Sequence, residues 1–199
     1  MFLTLEGPEG AGKSTLAATL AQRIEAAGRE VLRTREPGAG ALGAEIRKLL
    51  LEGEEIPRLS ELFLFLADRA HHVERVIQPA LEAGKVVLCD RFADSTVVYQ
   101  GYARGLDIEE LRNLNRIATQ GMMPNLTLLL DLPAEIGLAR LHNPDRLDSE
   151  PLSFHQKVRD GFLSEAQREP QRWVVLDARQ SQEQVAKNAW IAVRDMIGV

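Results

Sequence analysis

Residues 7–14 read Gly-Pro-Glu-Gly-Ala-Gly-Lys-Ser. Two glycines, a lysine and a hydroxyl at this spacing are the parts of a phosphate-binding loop. Gly7 and Gly12 carry no Cβ, so the chain can turn tightly and aim main-chain N–H groups inward. Pro8, Glu9, Gly10 and Ala11 fill the loop between them, and Thr15 follows Ser14. Lys13 can reach β- and γ-phosphates, and the Ser14 hydroxyl can ligate Mg²⁺. The flanks give the motif its context. An apolar run, Phe2–Leu5, precedes it, and a helix-forming stretch from Thr15 to Ala27 follows. Strand, loop and helix together favour an anion cradle over an ordinary glycine-rich turn.

Other residues could serve the same chemistry. Cys89-Asp90-Arg91 closes an apolar run, and ligands in open α/β sheets bind at the carboxyl ends of strands. Asp90 there could hold Mg²⁺ through water, and Arg91 could fork onto a phosphate. Asp131 ends another run and competes for the metal role; it ranks second because no cation follows it. Pro37-Gly38 predicts a turn after Arg35-Glu36, leading to Arg47, which read alone is a solvated helix charge. Phe65 and Arg69 are four apart and share a helix face. They could grip a nucleobase, or be a core ring and a surface charge. Adjacent His71 and His72 point apart on a helix and read as surface or supporting residues. Trp173 and Trp190 read as packing. The loop itself has no arginine, so cationic help over a transferred phosphoryl group must come from elsewhere. The polar, proline-bounded stretch 142–151, the predicted mobile flap, holds Arg146, with Arg140 just before it.

These side chains need a scaffold. Five short apolar runs, Phe2–Leu5, Glu30–Thr34, Val86–Cys89, Leu126–Leu132 and Trp173–Leu176, alternate with helical patterns. That alternation predicts a three-layer α/β fold with a parallel sheet in one domain spanning 1–199. The 199 residues suffice for a sizeable core, and 45% hydrophobic residues is an ordinary globular share. The net charge of −5, without a basic run, argues against a nucleic-acid polymer as ligand. The lone Cys89 excludes an intrachain disulfide and fits a reducing cytosol. A strand within two residues of Met1 leaves no room for a signal peptide. No apolar run approaches the ~20 residues of a membrane span.

Along nearly its whole length the chain resembles the thymidylate (dTMP) kinase family. The match is carried by 6–15 with the loop, by Thr34-Arg35-Glu36-Pro37-Gly38, by Phe65-Leu66-Ala67-Asp68-Arg69, and above all by Asp90-Arg91-Phe92-Ala93-Asp94-Ser95-Thr96-Val97-Val98-Tyr99-Gln100-Gly101. Asp145-Arg146-Leu147-Asp148, Phe154-His155 and Asp177-Ala178 support it. The resemblance implies a P-loop NTPase fold with a five-stranded parallel sheet, a homodimer, and transfer of the ATP γ-phosphoryl group to dTMP with Mg²⁺. It implies that Glu9 approaches the dTMP 3′-hydroxyl, Phe65 stacks on thymine, Arg69 bonds a base carbonyl, and Arg47 and Arg91 meet the dTMP phosphate. Thr96 would contact the base, Tyr99 would crowd the sugar 2′ position, and Asp90 would lie near the metal. Pro37, Ser95 and Gln100 complete the expected acceptor site. Gly10 and the flap arginines resemble the bacterial type, with the helping arginine in the lid. The stretch from Arg140 to Arg146 is short and leaves two candidates, of which Arg146 is preferred. Val98 stands where alanine is usual and is expected to tighten packing near the sugar.

A phosphate oxygen of dTMP, with a second pKa near 6, is largely ionised at neutral pH and needs no general base. Catalysis then reduces to alignment and charge neutralisation. The alternatives are a kinase for another nucleoside monophosphate or a deoxynucleoside, a regulatory ATP-binding module, and a nucleic-acid ATPase. No N-K-x-D stretch marks a GTPase.

Overall fold

The computed structural model describes residues 1–52 and 55–198. Its frame is a parallel sheet of five strands: β1 (Phe2–Glu6), β2 (Val31–Arg35), β3 (Val86–Asp90), β4 (Leu126–Asp131) and β5 (Trp173–Asp177). Their order is β2-β3-β1-β4-β5. All four pairings are parallel, with Leu5 opposite Asp90 and Leu128, and Arg35 opposite Asp90. β1, β3 and β4 are apolar because helices cover both their faces. Every residue of β1 is buried, including Glu6.

Helices α1 (Lys13–Ala26) and α9 (Gln182–Ile197) pack together on one face. There Leu16, Leu20, Ile24, Ala189 and Val193 join Leu3, Leu5, Leu88 and Leu128 in the largest core cluster. α2 (Gly40–Leu51) packs on α3 (Arg58–His72). α3 runs through a π-helical turn, Val73–Ile77, into α4 (Gln78–Glu82). α5 (Ala93–Thr96) likewise continues as a π-helical stretch, Val97–Ala103. α6 (Ile108–Ala118) is capped by the Asp107 carboxylate, which accepts from the Glu110 N–H. α7 (Ala134–Ala139) precedes the 142–151 segment, and α8 (Leu152–Arg168) follows it.

The five predicted strands are all present, each within about a residue of its expected bounds. Gly28 and Gly84 end α1 and α4 at φ 80 and 78, as αL caps. Trp173 is buried in the core cluster around Tyr99 and Phe162, and Trp190 packs against the larger cluster under α1 and α9. Val98 is sealed beside Tyr99 and Phe154. No described helix is long and apolar enough to cross a membrane.

Candidate active site

The strand ends at β1 and β3 place the cradle. After Glu6 the chain enters the loop with Gly7, Gly10 and Gly12 at φ 139, 65 and 93. A Cβ on Gly10 would stand 2.1 Å from the Gly137 carbonyl oxygen, and one on Gly137 2.2 Å from that of Glu9. Loop and α7 therefore meet main chain to main chain, which requires glycine on both sides. Gly12 caps α1 in the αL region without a side-chain bond, leaving first-turn N–H groups for an anion. Lys13 is buried and donates to the carbonyls of Gly7 (2.8 Å) and Pro8 (2.7 Å). Burial lowers its pKa to about 8, helped by neighbouring Arg91.

The Ser14 hydroxyl donates to Asp90 Oδ2 at 2.9 Å. Two hard oxygens thus meet at the N-terminus of α1, the donor set that suits Mg²⁺. Among the described residues no cluster of three or more His, Cys, Asp or Glu forms a fuller cage. Mg²⁺ ordinarily completes its shell with phosphate and water, so the pair fits that ion. Asp131, the competing carboxylate, is taken up by Arg159 in a bidentate pair at 2.7 and 2.9 Å.

Two clefts flank the loop. The first, about 210 Å³, is lined by Glu9, Lys13, Ser14 and Asp90 at one end. Pro37, Arg47, Phe65, Arg69, Arg91 and Tyr99 line the rest, with Ser95, Thr96 and Gln100. The second lies across the loop, between Gly10, Gly12 and Thr15 on one side and Arg140, Ala178 and Gln180 on the other.

Within the first cleft, Arg91 adopts φ 68, a left-handed conformation unusual for a side chain of this size. Its guanidinium donates to Glu9 Oε1 and Ser95 Oγ, both at 3.3 Å, and lies 5.0 Å from the Tyr99 ring centre. Glu9 also accepts from the Tyr99 hydroxyl and contacts His155 Nδ1 at 3.1 Å. Burial opposes the Glu9 charge, but His155, Arg91, Lys13 and Tyr99 outweigh it and hold its pKa at about 2. Burial likewise opposes protonation of His155, yet Glu9 raises its pKa overall.

Arg47, which alone reads as a solvated charge, is half-buried in the cleft and donates to the Pro37 carbonyl at 3.0 Å. The turn at Pro37-Gly38 draws it inward, with Gly38 at φ 122. Phe65 is half-buried on the cleft wall.

Arg69 is the opposite of a surface residue, with 2% exposure. It donates to Glu36, Thr96, Asn115 and the Phe92 carbonyl at 2.7–3.1 Å, and Nη2 lies 2.9 Å from Glu36. The expected bond to a base carbonyl would have to be shared with those partners. His72 is also buried, bridging Glu36 and Thr34 at 2.8 and 2.7 Å.

The two flap arginines stand in different places. Arg146 lines neither cleft. Its Nε donates to the Leu50 carbonyl at 2.9 Å, and its Nη2 pairs with Glu61. Glu61 is buried and also holds Arg104; a buried carboxylate needs such partners, and it draws Arg146 toward the α2–α3 side. Arg140 instead donates to the Gly10 carbonyl at 3.3 Å, on the loop itself.

Sequence reasoning missed Glu6, Glu36, Glu61, Asn115, Gly137 and the Glu9–His155 pair. A carboxylate at the end of the apolar run Phe2–Leu5 was the visible signal for Glu6. The others emerge only from the fold.

A sheet in this order, with a glycine cradle at the end of its central strand and a cleft on either side, defines a P-loop nucleotide phosphotransferase. The family model for thymidylate kinase matches residues 5–189. A thymidylate kinase from Synechococcus sp. (strain JA-2-3B'a(2-13)) is 54% identical over 193 residues, covering 97% of this chain and 94% of that protein. One from Thermomicrobium roseum is 52% identical over 200 residues, covering 98% and 95%. The crystal structure of thymidylate kinase from Ehrlichia chaffeensis superposes with a TM-score of 0.81 at 33% identity, over 97% of this chain and 98% of that one. The chain belongs to the thymidylate kinase family.

Proposed function

We propose that the chain transfers the γ-phosphoryl group of ATP to dTMP, giving ADP and dTDP, with the two clefts as the two nucleotide sites. The observation that carries this reading is their convergence on one loop. Glu9 and Lys13 line the first cleft, Gly12 and Thr15 the second, and Gly10 both. ATP lies along the second cleft with its phosphates on the main-chain N–H groups of residues 7–15. dTMP lies in the first, its base against Phe65 and near Arg69 and Thr96, with Pro37 and Gln100 completing the wall. Its sugar sits over Tyr99 and Glu9, and its phosphate between Arg47 and Arg91.

Phosphoryl transfer brings two polyanions end to end, so fixed cations matter more than proton transfer. Lys13 exchanges loop carbonyls for phosphate oxygens. Ser14 and Asp90 would hold Mg²⁺, which supplies charge neutralisation between the phosphates when bound. Arg91, oriented by Glu9 and Ser95, meets the acceptor phosphate. Arg140, whose guanidinium already contacts the loop at Gly10, is better placed than Arg146 for the transferred group. Residues 142–151 act as the lid and exclude water. The decisive assay measures ADP and dTDP from ATP and dTMP, with dUMP, dCMP and AMP as competing acceptors. ATP consumption without dTDP would return the reading to another monophosphate kinase or an ATPase.

Exposed apolar residues on α2 (Leu42, Leu49), α3 (Leu59, Phe63) and α6 (Ile117) support assembly as a homodimer. Light scattering at twice the 22.1 kDa chain mass is the expected result. A buried single thiol at Cys89 and these substrates support a cytoplasmic site of action.

A further inference from the structure

Glu6 is a carboxylate at the end of the central strand, with 0% exposure, in a strand whose other residues are apolar or threonine. A charge there costs free energy unless its bonds are made. Both oxygens are used on a single target. Oε1 accepts the Phe92 N–H at 2.8 Å, and Oε2 accepts the Ser95 hydroxyl at 2.6 Å. The Ser95 hydroxyl, having donated its proton, accepts from Arg91 Nη1 at 3.3 Å. Arg91 itself is held at φ 68, with its own N–H on the Leu5 carbonyl at 2.9 Å. One carboxylate therefore grips the residue after Arg91 through the main chain and the Arg91 side chain through a serine.

We propose that Glu6 is a positioning residue for phosphoryl transfer, fixing Arg91 in the conformation that meets the acceptor phosphate. The inference rests on the assignment of Arg91 to that phosphate. Glu6 does not itself line the cleft; it acts through Ser95 and the Phe92 peptide. A strained arginine backbone persists only where its surroundings over-determine it, and Glu6 supplies two of those constraints. The serine link has a direction: the hydroxyl donates its hydrogen bond to the carboxylate, which turns a lone pair of Ser95 toward the guanidinium. A glutamine at position 6 keeps the size but has only one acceptor oxygen, and its NH₂ would face a donor.

The test is a mutant cycle on Glu6→Gln and Arg91→Ala, each alone and combined, reading kcat for dTDP formation and the KM of each nucleotide. Arg91→Ala is expected to lower kcat by about 10²-fold. Glu6→Gln is expected to lower it by about tenfold in the wild-type background, by less than about twofold in the Arg91→Ala background, and to leave the KM for ATP unchanged. Equal losses in both backgrounds, or no loss in the wild type, would overturn the proposal, because a purely structural acid would act without regard to Arg91. Normal turnover by Arg91→Ala would instead remove the assignment on which it rests. Should Glu6→Gln fail to fold, Ser95→Ala gives the same reading, since it cuts the link while leaving the Phe92 bond intact. Its loss should also vanish when Arg91 is absent, and an additive loss would again overturn the proposal.

Discussion

Ser14 Oγ and Asp90 Oδ2 lie 2.9 Å apart, joining the first turn of α1 to the last residue of β3. Neither residue is near the other in sequence, yet the parallel pairing of β1 with β3 makes them neighbours. Removing the Asp90 charge should therefore act on the metal. Asp90→Asn is expected to raise the Mg²⁺ concentration for half-maximal rate by about tenfold or more, with a similar far-ultraviolet spectrum. An unchanged Mg²⁺ titration would transfer the role elsewhere.

Lys13 should be indispensable for rate and dispensable for folding. Lys13→Ala is expected to lower kcat by about 10²- to 10³-fold while the thermal midpoint changes little. Near-normal turnover would defeat the loop assignment.

The two flap arginines give opposite expectations. Arg140→Ala should lower kcat more than it changes the KM for dTMP. Arg146→Ala should chiefly disturb the contact with Glu61 and Leu50, and so cost stability. If Arg146→Ala shows the larger loss of kcat, the lid takes up a different arrangement during turnover. Steady-state kinetics and a melting curve on both variants separate these outcomes.

Phe65→Ala should weaken dTMP binding by about tenfold with a smaller effect on kcat, as expected for loss of base stacking worth about 1–3 kcal/mol. Unchanged dTMP affinity by calorimetry would return Phe65 to a packing role.

Glu6 also sets a pH dependence of stability. Burial, reinforced by Asp94, raises its pKa from 4.5 to about 7. The folded state thus binds this proton more tightly than the unfolded chain does. Its contribution becomes less favourable as pH rises from about 4.5 to about 7. Glu9 works the other way: lowered to about 2, it adds stability above its ordinary value that is lost only as pH falls toward 2. The stability of wild type minus that of Glu6→Gln should therefore fall between pH 5 and pH 8. Urea midpoints at the two pH values check it, and a flat difference would refute the raised pKa.

Most of the scaffold was legible because apolar runs and glycine stops recur with the right period. The sheet, its helices and the loop needed only local pattern. The π-helical turns at Val73–Ile77 and Val97–Ala103 did not show, since one extra residue per turn leaves little trace in a hydrophobic pattern. The site was legible by residue type and less by direction. Arg47 looked solvated because nothing in α2 announces that the Pro37 carbonyl will bind it. Arg69 looked peripheral because its partners Glu36, Thr96 and Asn115 are 27 to 46 residues distant. The Arg146 contact with Glu61 was hidden for the same reason, since the two are 85 residues apart.

Lys13 spends its charge on the carbonyls of Gly7 and Pro8. A stray anion drifting past meets an ammonium that is already engaged and nearly sealed from solvent. A ligand offering several oxygens at once, in the spacing of a polyphosphate tail, would best offset the breaking of both bonds. With the loop as the phosphate site proposed above, such a lysine would screen its callers by valency before any base is read.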